Sequence, residues 1–334
     1  MERPRVNWGA RIALLSQWYS IRLARKKGLE LRQTMGAEQW EALIARAAEN
    51  SRHLDLSSVP DQFRSFLFSA ESMLCHPLLV HYIRPAMRMA SAAGYVATGV
   101  PVITNPNLTF GGHAFELEPS ALRIAEIPLG LVFLFRELGR GILNLHNAIQ
   151  NEQERDILPS SKACLLLSSL IYQPATVVFQ LGEALFKKTP FRNKLYATQI
   201  THVLGVFVIL HEIGHICKGH NLTPFSEEES KRQEHEADIF AVECLFAPKR
   251  DNRTYAPFRK IQMIAVCNLL TLMDFHADAS AANLYGYPSF KERRLKLLSH
   301  FGATDGVSKA VIEAISSFEL EVRRSPADIP NLRS

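Results

Sequence analysis

The segment Val203–Gly219, VLGVFVILHEIGHICKG, places His211 and His215 four residues apart with Glu212 between them. On a helix this spacing stacks two imidazoles on one face, one turn apart, where both can reach a single zinc ion at about 2.0–2.1 Å. Glu212 stands one step round the helix, badly placed to ligate but able to reach a water beside the ion. The roles therefore separate. Two neutral histidines hold the metal, and the carboxylate takes a proton as the water attacks a carbonyl. The residues before the motif, Val206 to Leu210, are all apolar. A desolvated His-Glu-His group there costs free energy unless a positive partner offsets it. Gly219 is placed to end the helix.

A catalytic zinc site needs a third protein ligand and an open position. The metzincin continuation requires Gly three and His six residues after the second histidine, where this chain has Lys218 and Asn221. A carboxylate from another helix is the alternative. Ser226 and Glu229 form a capping box, and Glu227 to Ala247 reads as a helix stopped by Pro248. At about 100° per residue, Glu234, Ala237, Asp238, Ala241 and Leu245 share one face. Two carboxylates on an alanine-rich stripe call for a buried positive partner, and a zinc held by the first helix is that partner. Glu234 is the favoured ligand and His235, at the edge of the face, its competitor. Asp238, one turn on, is expected to orient a ligand histidine through its other ring nitrogen. Glu236 and Glu243 point away and read as solvated charges. His220 either gates the site or follows the helix end as a favourable cation, the second being preferred.

HEIGH followed nineteen residues later by EHEAD resembles the gluzincin pattern HExxH…ExxAD of HtpX-like and CAAX-prenyl peptidases. The short separation, His220 five residues after His215 and the run SEEESKRQEHEAD are most similar to the Lit phage-exclusion peptidases. The resemblance covers Gly205 to Phe246. It implies Zn2+ on His211, His215 and Glu234, Glu212 as base, and a zincin-like core. It also implies a protein or peptide substrate; the best-known activity in that family is cleavage of translation elongation factor Tu. Downstream, Tyr287–Leu298 resembles the HP…R…L ending of many gluzincins, with Tyr287 in place of His. The resemblance implies that Arg293 is an orienting or structural basic residue and Tyr285 or Tyr287 an oxyanion stabiliser. Gluzincins also keep a substrate-binding edge strand, expected either from strands a hundred residues upstream or within Phe179 to Lys194.

The remaining chain must position these groups. At 47% hydrophobic and 21% charged, 334 residues can bury a full core. Five cysteines without a CxxC pair suggest neither a disulfide framework nor a cysteine zinc site, and a reducing cytoplasm is expected. No phosphate loop, nucleophile elbow or nucleic-acid signature occurs, so no nucleic-acid partner is expected. Residues 3–32 form a basic amphipathic stretch, either an ordinary surface helix or one that lies on an anionic membrane; a secretory signal is not expected. Ala163–Gly182 and Leu195–Leu210 are charge-free but read as core helices, the first because of Pro174 and the second because it runs into His211 and Glu212. Helical periodicity marks Ala37–Asn50 and Asp61–Cys75. Tyr95–Thr104 is β-rich, Leu108–Leu117 reads as a hairpin or a pair of short strands around Gly111 and Gly112, and helix is expected to resume near Ser120. The sum is a predominantly helical α+β protein. Its expected parts are an N-terminal helical region at 1–93, a zincin-like metallopeptidase domain at 94–320 and a flexible tail at 321–334. The expected function is a zinc endopeptidase acting on a cytoplasmic protein, in phage defence or regulated proteolysis. A non-catalytic zinc-binding interaction protein and an ImmA-type peptidase cutting a partner repressor are the competing readings.

Overall fold

The structure, a computed structural model, describes residues 22–33, 35–51, 76, 79–95, 100–105, 112–117, 122–128, 131, 135, 139, 191–222, 226–246, 256–280, 288–304, 309, 312–316 and 318–320. The elements that position the site are α1 (Ala37–Ser51), α2 (Val80–Ala92), β1 (Val102–Asn105), β2 (His113–Leu117), β3 (Leu122–Pro128), α3 (Phe191–Cys217), α4 (Glu227–Phe246), α5 (Ala256–Ser280) and α6 (Phe290–Thr304). The chain is α+β and mostly helical, with one small sheet among the described residues. The expected helix at Asp61–Cys75, the charge-free stretch Ala163–Gly182, most of the basic segment and the tail lie outside the described residues.

The centre is α3. Its residues from Ala197 to Ile213 are apolar on almost every side, the pattern of a helix surrounded by protein. α2, α4, α5 and the sheet all pack against it. Ala197–Cys217 is long and apolar enough to cross a bilayer, yet 83% of its most apolar stretch is buried within the structure. α2, which precedes residue 94, contributes Ile83, Ala86 and Ala90 to the same core as the site helices.

The sheet has the order β1-β3-β2, with β1 parallel and β2 antiparallel to β3. This corrects one expectation. β3 occupies 122–128, where helix was expected to resume. The reason is that β3 is central and covered on both faces, so its sequence LRIAEIP lacks the alternation that marks a half-exposed strand. The strand pairing of β2 runs from Leu117 opposite Leu122 to His113 opposite Glu126, and the first half of the expected Leu108–Leu117 hairpin or strand pair lies outside the described residues. Ala125 and Ile127 face the α3 core, while Ile124 joins Ile103, Trp40 and Leu43 of α1 in a second apolar cluster. Residues 22–33 are helical and dock on that cluster through Leu31, leaving Arg22, Arg25, Lys26 and Arg32 exposed.

Local chemistry sets the two helices that carry charge. The Glu229 N–H donates to Ser226 Oγ at 3.2 Å, and three glutamates fill the first turn of α4, favourable at the positive end of a helix. At α6 the Ser289 N–H donates to Glu292 Oε2 at 2.8 Å and the Glu292 N–H to Ser289 Oγ at 3.1 Å, a complete capping box. The α3–α4 seam depends on Phe240, fully buried, whose ring lies 4.5 Å from that of Tyr95 and against Gly214. Phe240→Ala is expected to cost about 3–5 kcal/mol, read as a lowered urea midpoint. A change near zero would mean that this seam is not part of the cooperative core.

Candidate metal centre

α3 and α4 cross with Gly214 directly over Ala237: a Cβ at Gly214 would stand 3.2 Å from Ala237 Cα. That approach brings three side chains together. His211 Nε2 lies 3.2 Å from His215 Nε2 and 3.3 Å from Glu234 Oε2, and His215 Nε2 lies 3.4 Å from Glu234 Oε1. All three are largely or fully buried, and one donor atom from each falls within 4.8 Å of the others. Two imidazole nitrogens and one carboxylate at this spacing suit a borderline divalent cation, so the group fits a zinc site. His235 contributes no atom to it. Its Nε2 is buried without a hydrogen-bond partner and its charged neighbours are Lys296, Asp238, Arg293 and Glu292.

Behind these donors stands a second layer. His211 Nδ1 lies 2.9 Å from Asp238 Oδ1. Arg293, from α6, grips Asp238 with a two-pronged contact, Nε to Oδ2 and Nη2 to Oδ1 both at 2.7 Å, and places Nη1 3.1 Å from Glu234 Oε2. The positive partner that the α4 stripe demands is therefore supplied by protein as well as by any metal. Burial alone would raise the pKa of Glu234, but the Arg293 charge and the two histidines hold it well below the usual carboxylate range. Asp238 shifts down in the same way, Arg293 outweighing desolvation. Burial pulls His211 down, yet the hydrogen bonds to Asp238 and Glu234 win and its pKa rises to about 10 in the metal-free protein.

The end of α3 adds a residue the sequence reading placed differently. Gly219 has φ +66°, and the bonds Gly219 N–H to Ile216 O and His220 N–H to His215 O close a Schellman turn. The turn folds His220 back over the helix it terminates. Its Nδ1 lies 3.1 Å from His215 Nδ1 and its Nε2 3.0 Å from Glu236 Oε2. Arg123 of β3 donates to the His220 carbonyl at 3.2 Å. His220 is buried, and desolvation pushes its pKa below the ordinary value. Its ring therefore bridges the His215 imidazole and the Glu236 carboxylate rather than standing free at a helix end. Glu236, expected to be only solvated, holds it from α4.

Glu212 lines a cavity of about 340 Å³ together with the apolar Phe207, Leu269, Met273 and Phe290 and with Gly112, His113 and Ala114. A Cβ at Gly112 would come within 2.8 Å of Glu212 Oε1, so a larger residue there would push the Glu212 carboxylate from its present position. Among the described residues β2 is an outer strand of the sheet, and its first residues line the cavity with Glu212; most of the other place expected for an edge strand, Phe179 to Lys194, lies outside the described residues. Burial raises the pKa of Glu212, the nearby histidines pulling the other way. His113, on β2, lies 2.8 Å from Glu126, a fully buried carboxylate also bound by Arg46 at 2.9 Å. No local sequence signal marks this group, because its members come from three elements. Tyr285 and Tyr287 lie outside the described residues.

Residues 191–313 match the family model Peptidase U49. The match begins at α3 and takes in α4, α5 and α6, hence the three donors, Glu212, Asp238 and Arg293. The sheet lies outside it. No curated protein and no solved structure matches the chain.

Two outcomes follow from the charge balance. Arg293→Met leaves Glu234 and Asp238 buried without their cation, and a loss of about 3–5 kcal/mol in unfolding free energy is expected from denaturant titration. For His211 the folded pKa exceeds the unfolded value of 6.5. Its proton therefore stabilises the metal-free fold fully below pH 6.5, and that contribution is lost as pH rises towards about 10. The difference in urea midpoint between chelator-treated wild type and His211→Asn is expected to shrink across this window; a constant difference would contradict the coupling to Asp238 and Glu234.

Proposed function

We propose that the protein is a zinc-dependent endopeptidase, of the Lit-like kind among gluzincins, acting on a cytoplasmic protein substrate in phage defence or regulated proteolysis. The observation that carries this reading is the convergence of His211, His215 and Glu234 beside Glu212, in a cavity bordered by a strand edge. In the zincin arrangement His211, His215 and Glu234 hold the ion, which when bound polarises the attacking water and the scissile carbonyl. Glu212 is the base. As a carboxylate it can accept the proton of the attacking water and then release it to the leaving amine. Asp238 and Arg293 keep the donor side chains in place. An extended substrate would pair with the outer edge of β2 and lay its side chains into the apolar side of the cavity.

Glu212→Gln preserves shape and removes the base. The purified variant is expected to bind one zinc per chain, as wild type does, while the turnover rate falls about 10²–10⁴-fold. Comparing protein fragments in cells expressing the two forms identifies the substrate. Equal cleavage by both would refute the peptidase reading, and retained activity after complete zinc removal would refute the metal's role.

A further inference from the structure

We propose that His220 and Glu236 form a proton-ordered relay that fixes the tautomer and orientation of His215, making His220 a positioning residue for the metal centre. The inference rests on the metal-site reading above and extends it to residues outside the HExxH…ExxAD pattern.

The chain of contacts runs from the surface inward. Arg232 donates to Glu236 Oε1 at 2.7 Å, Glu236 Oε2 lies 3.0 Å from His220 Nε2, and His220 Nδ1 lies 3.1 Å from His215 Nδ1. An ionised carboxylate only accepts hydrogen bonds, so His220 must carry its proton on Nε2 and donate it to Glu236. A neutral imidazole has one donor and one acceptor. His220 Nδ1 is then the acceptor, and the proton between the two rings belongs to His215 Nδ1. His215 Nε2 is left with its lone pair, pointing at Glu234 and His211 Nε2. Each hydrogen follows from the one before it, starting from a charge on α4.

Asp238 does the same for the other histidine by accepting from His211 Nδ1. Both rings thus present Nε2 to the same point, one through a direct carboxylate and the other through an interposed imidazole. The interposition has a geometric cause: His215 is on the last turn of α3, and the residue within reach of its Nδ1 belongs to the Schellman turn rather than to α4. Three elements hold His220 there, since its N–H bonds the His215 carbonyl, its C=O accepts from Arg123 of β3, and its ring meets Glu236. His220 is not placed as a ligand of the same ion, because it meets His215 at Nδ1, the ring nitrogen not directed at Glu234.

The test needs no catalysis. Long-range proton–nitrogen spectra of the metal-free protein are expected to show His215 protonated on Nδ1, and zinc affinity is read by chelator competition. His220→Ala is expected to weaken zinc binding about 10–100-fold. His220→Gln, whose side-chain carbonyl can accept from His215, is expected to restore most of that loss. Glu236→Gln, at the half-exposed end, is expected to weaken binding while leaving the thermal midpoint near wild type. Should His220→Ala fail to fold, Glu236→Gln and the wild-type spectrum decide. A His215 proton on Nε2, or zinc affinities of His220→Ala and Glu236→Gln within twofold of wild type, would overturn the relay. A wild type that binds no zinc but shows the Nδ1 tautomer would instead overturn the peptidase reading and leave the relay standing.

Discussion

Burying Glu234 and Asp238 on one face of α4 is possible only if positive charge reaches them, and the Arg293 guanidinium is what reaches them. It bonds both oxygens of Asp238 and one of Glu234 from a helix 55 residues further along the chain. A buried carboxylate without a partner costs several kcal/mol. Two of them on adjacent turns would drive α4 to rotate its stripe outwards, and the donor set would then not assemble. The contact also explains why α6 packs as it does. Its start is fixed by the Ser289–Glu292 capping box, so that Arg293, one residue later, is delivered to the centre rather than to solvent.

With that charge in place, α3 can be almost wholly apolar. The site helix needs no polar face of its own because it is surrounded, and its ionisable residues are satisfied by neighbours: His211 by Asp238, His215 by His220. The sheet contributes differently. β3 is central and buried over most of its length, whereas β2 is outermost among the described strands and meets Glu212 at a glycine. Placing the buried Glu126 with Arg46 and His113 at that edge ties α1, β2 and β3 together close to the cavity.

What was legible in the sequence is what depends on spacing within one helix. His211 and His215 are readable from a four-residue step, Glu234 and Asp238 from another, and α4 from Ser226 and Glu229, because helical geometry converts such intervals directly into a shared face. The predominantly helical α+β class was legible for the same reason. What failed lies between elements. β3 was read as helix because a strand buried on both faces has no alternation. His220 was assigned to a helix end because the consequence of Gly219 at φ +66° is a reversal that the linear sequence does not display. Glu236 was assigned to solvent because a wheel centred on Glu234 ignores a side chain arriving from beyond the end of another helix. Arg293 was singled out as a basic orienting residue, but its two carboxylate partners required the fold.

The carboxylates around the centre then divide by what surrounds them. Glu234 and Asp238 face Arg293, Glu236 faces Arg232 and His220, and Glu126 faces Arg46 and His113; each is shifted towards the ionised form. Glu212 is also buried, yet its shift runs the other way, because burial outweighs the histidines nearby. Groups held ionised are suited to fixing geometry, since they do not change charge when a proton arrives. A group pushed towards its neutral form near the reacting atoms is suited to carrying a proton. Of these five carboxylates, Glu212 is the one whose surroundings in the metal-free protein raise its affinity for a proton.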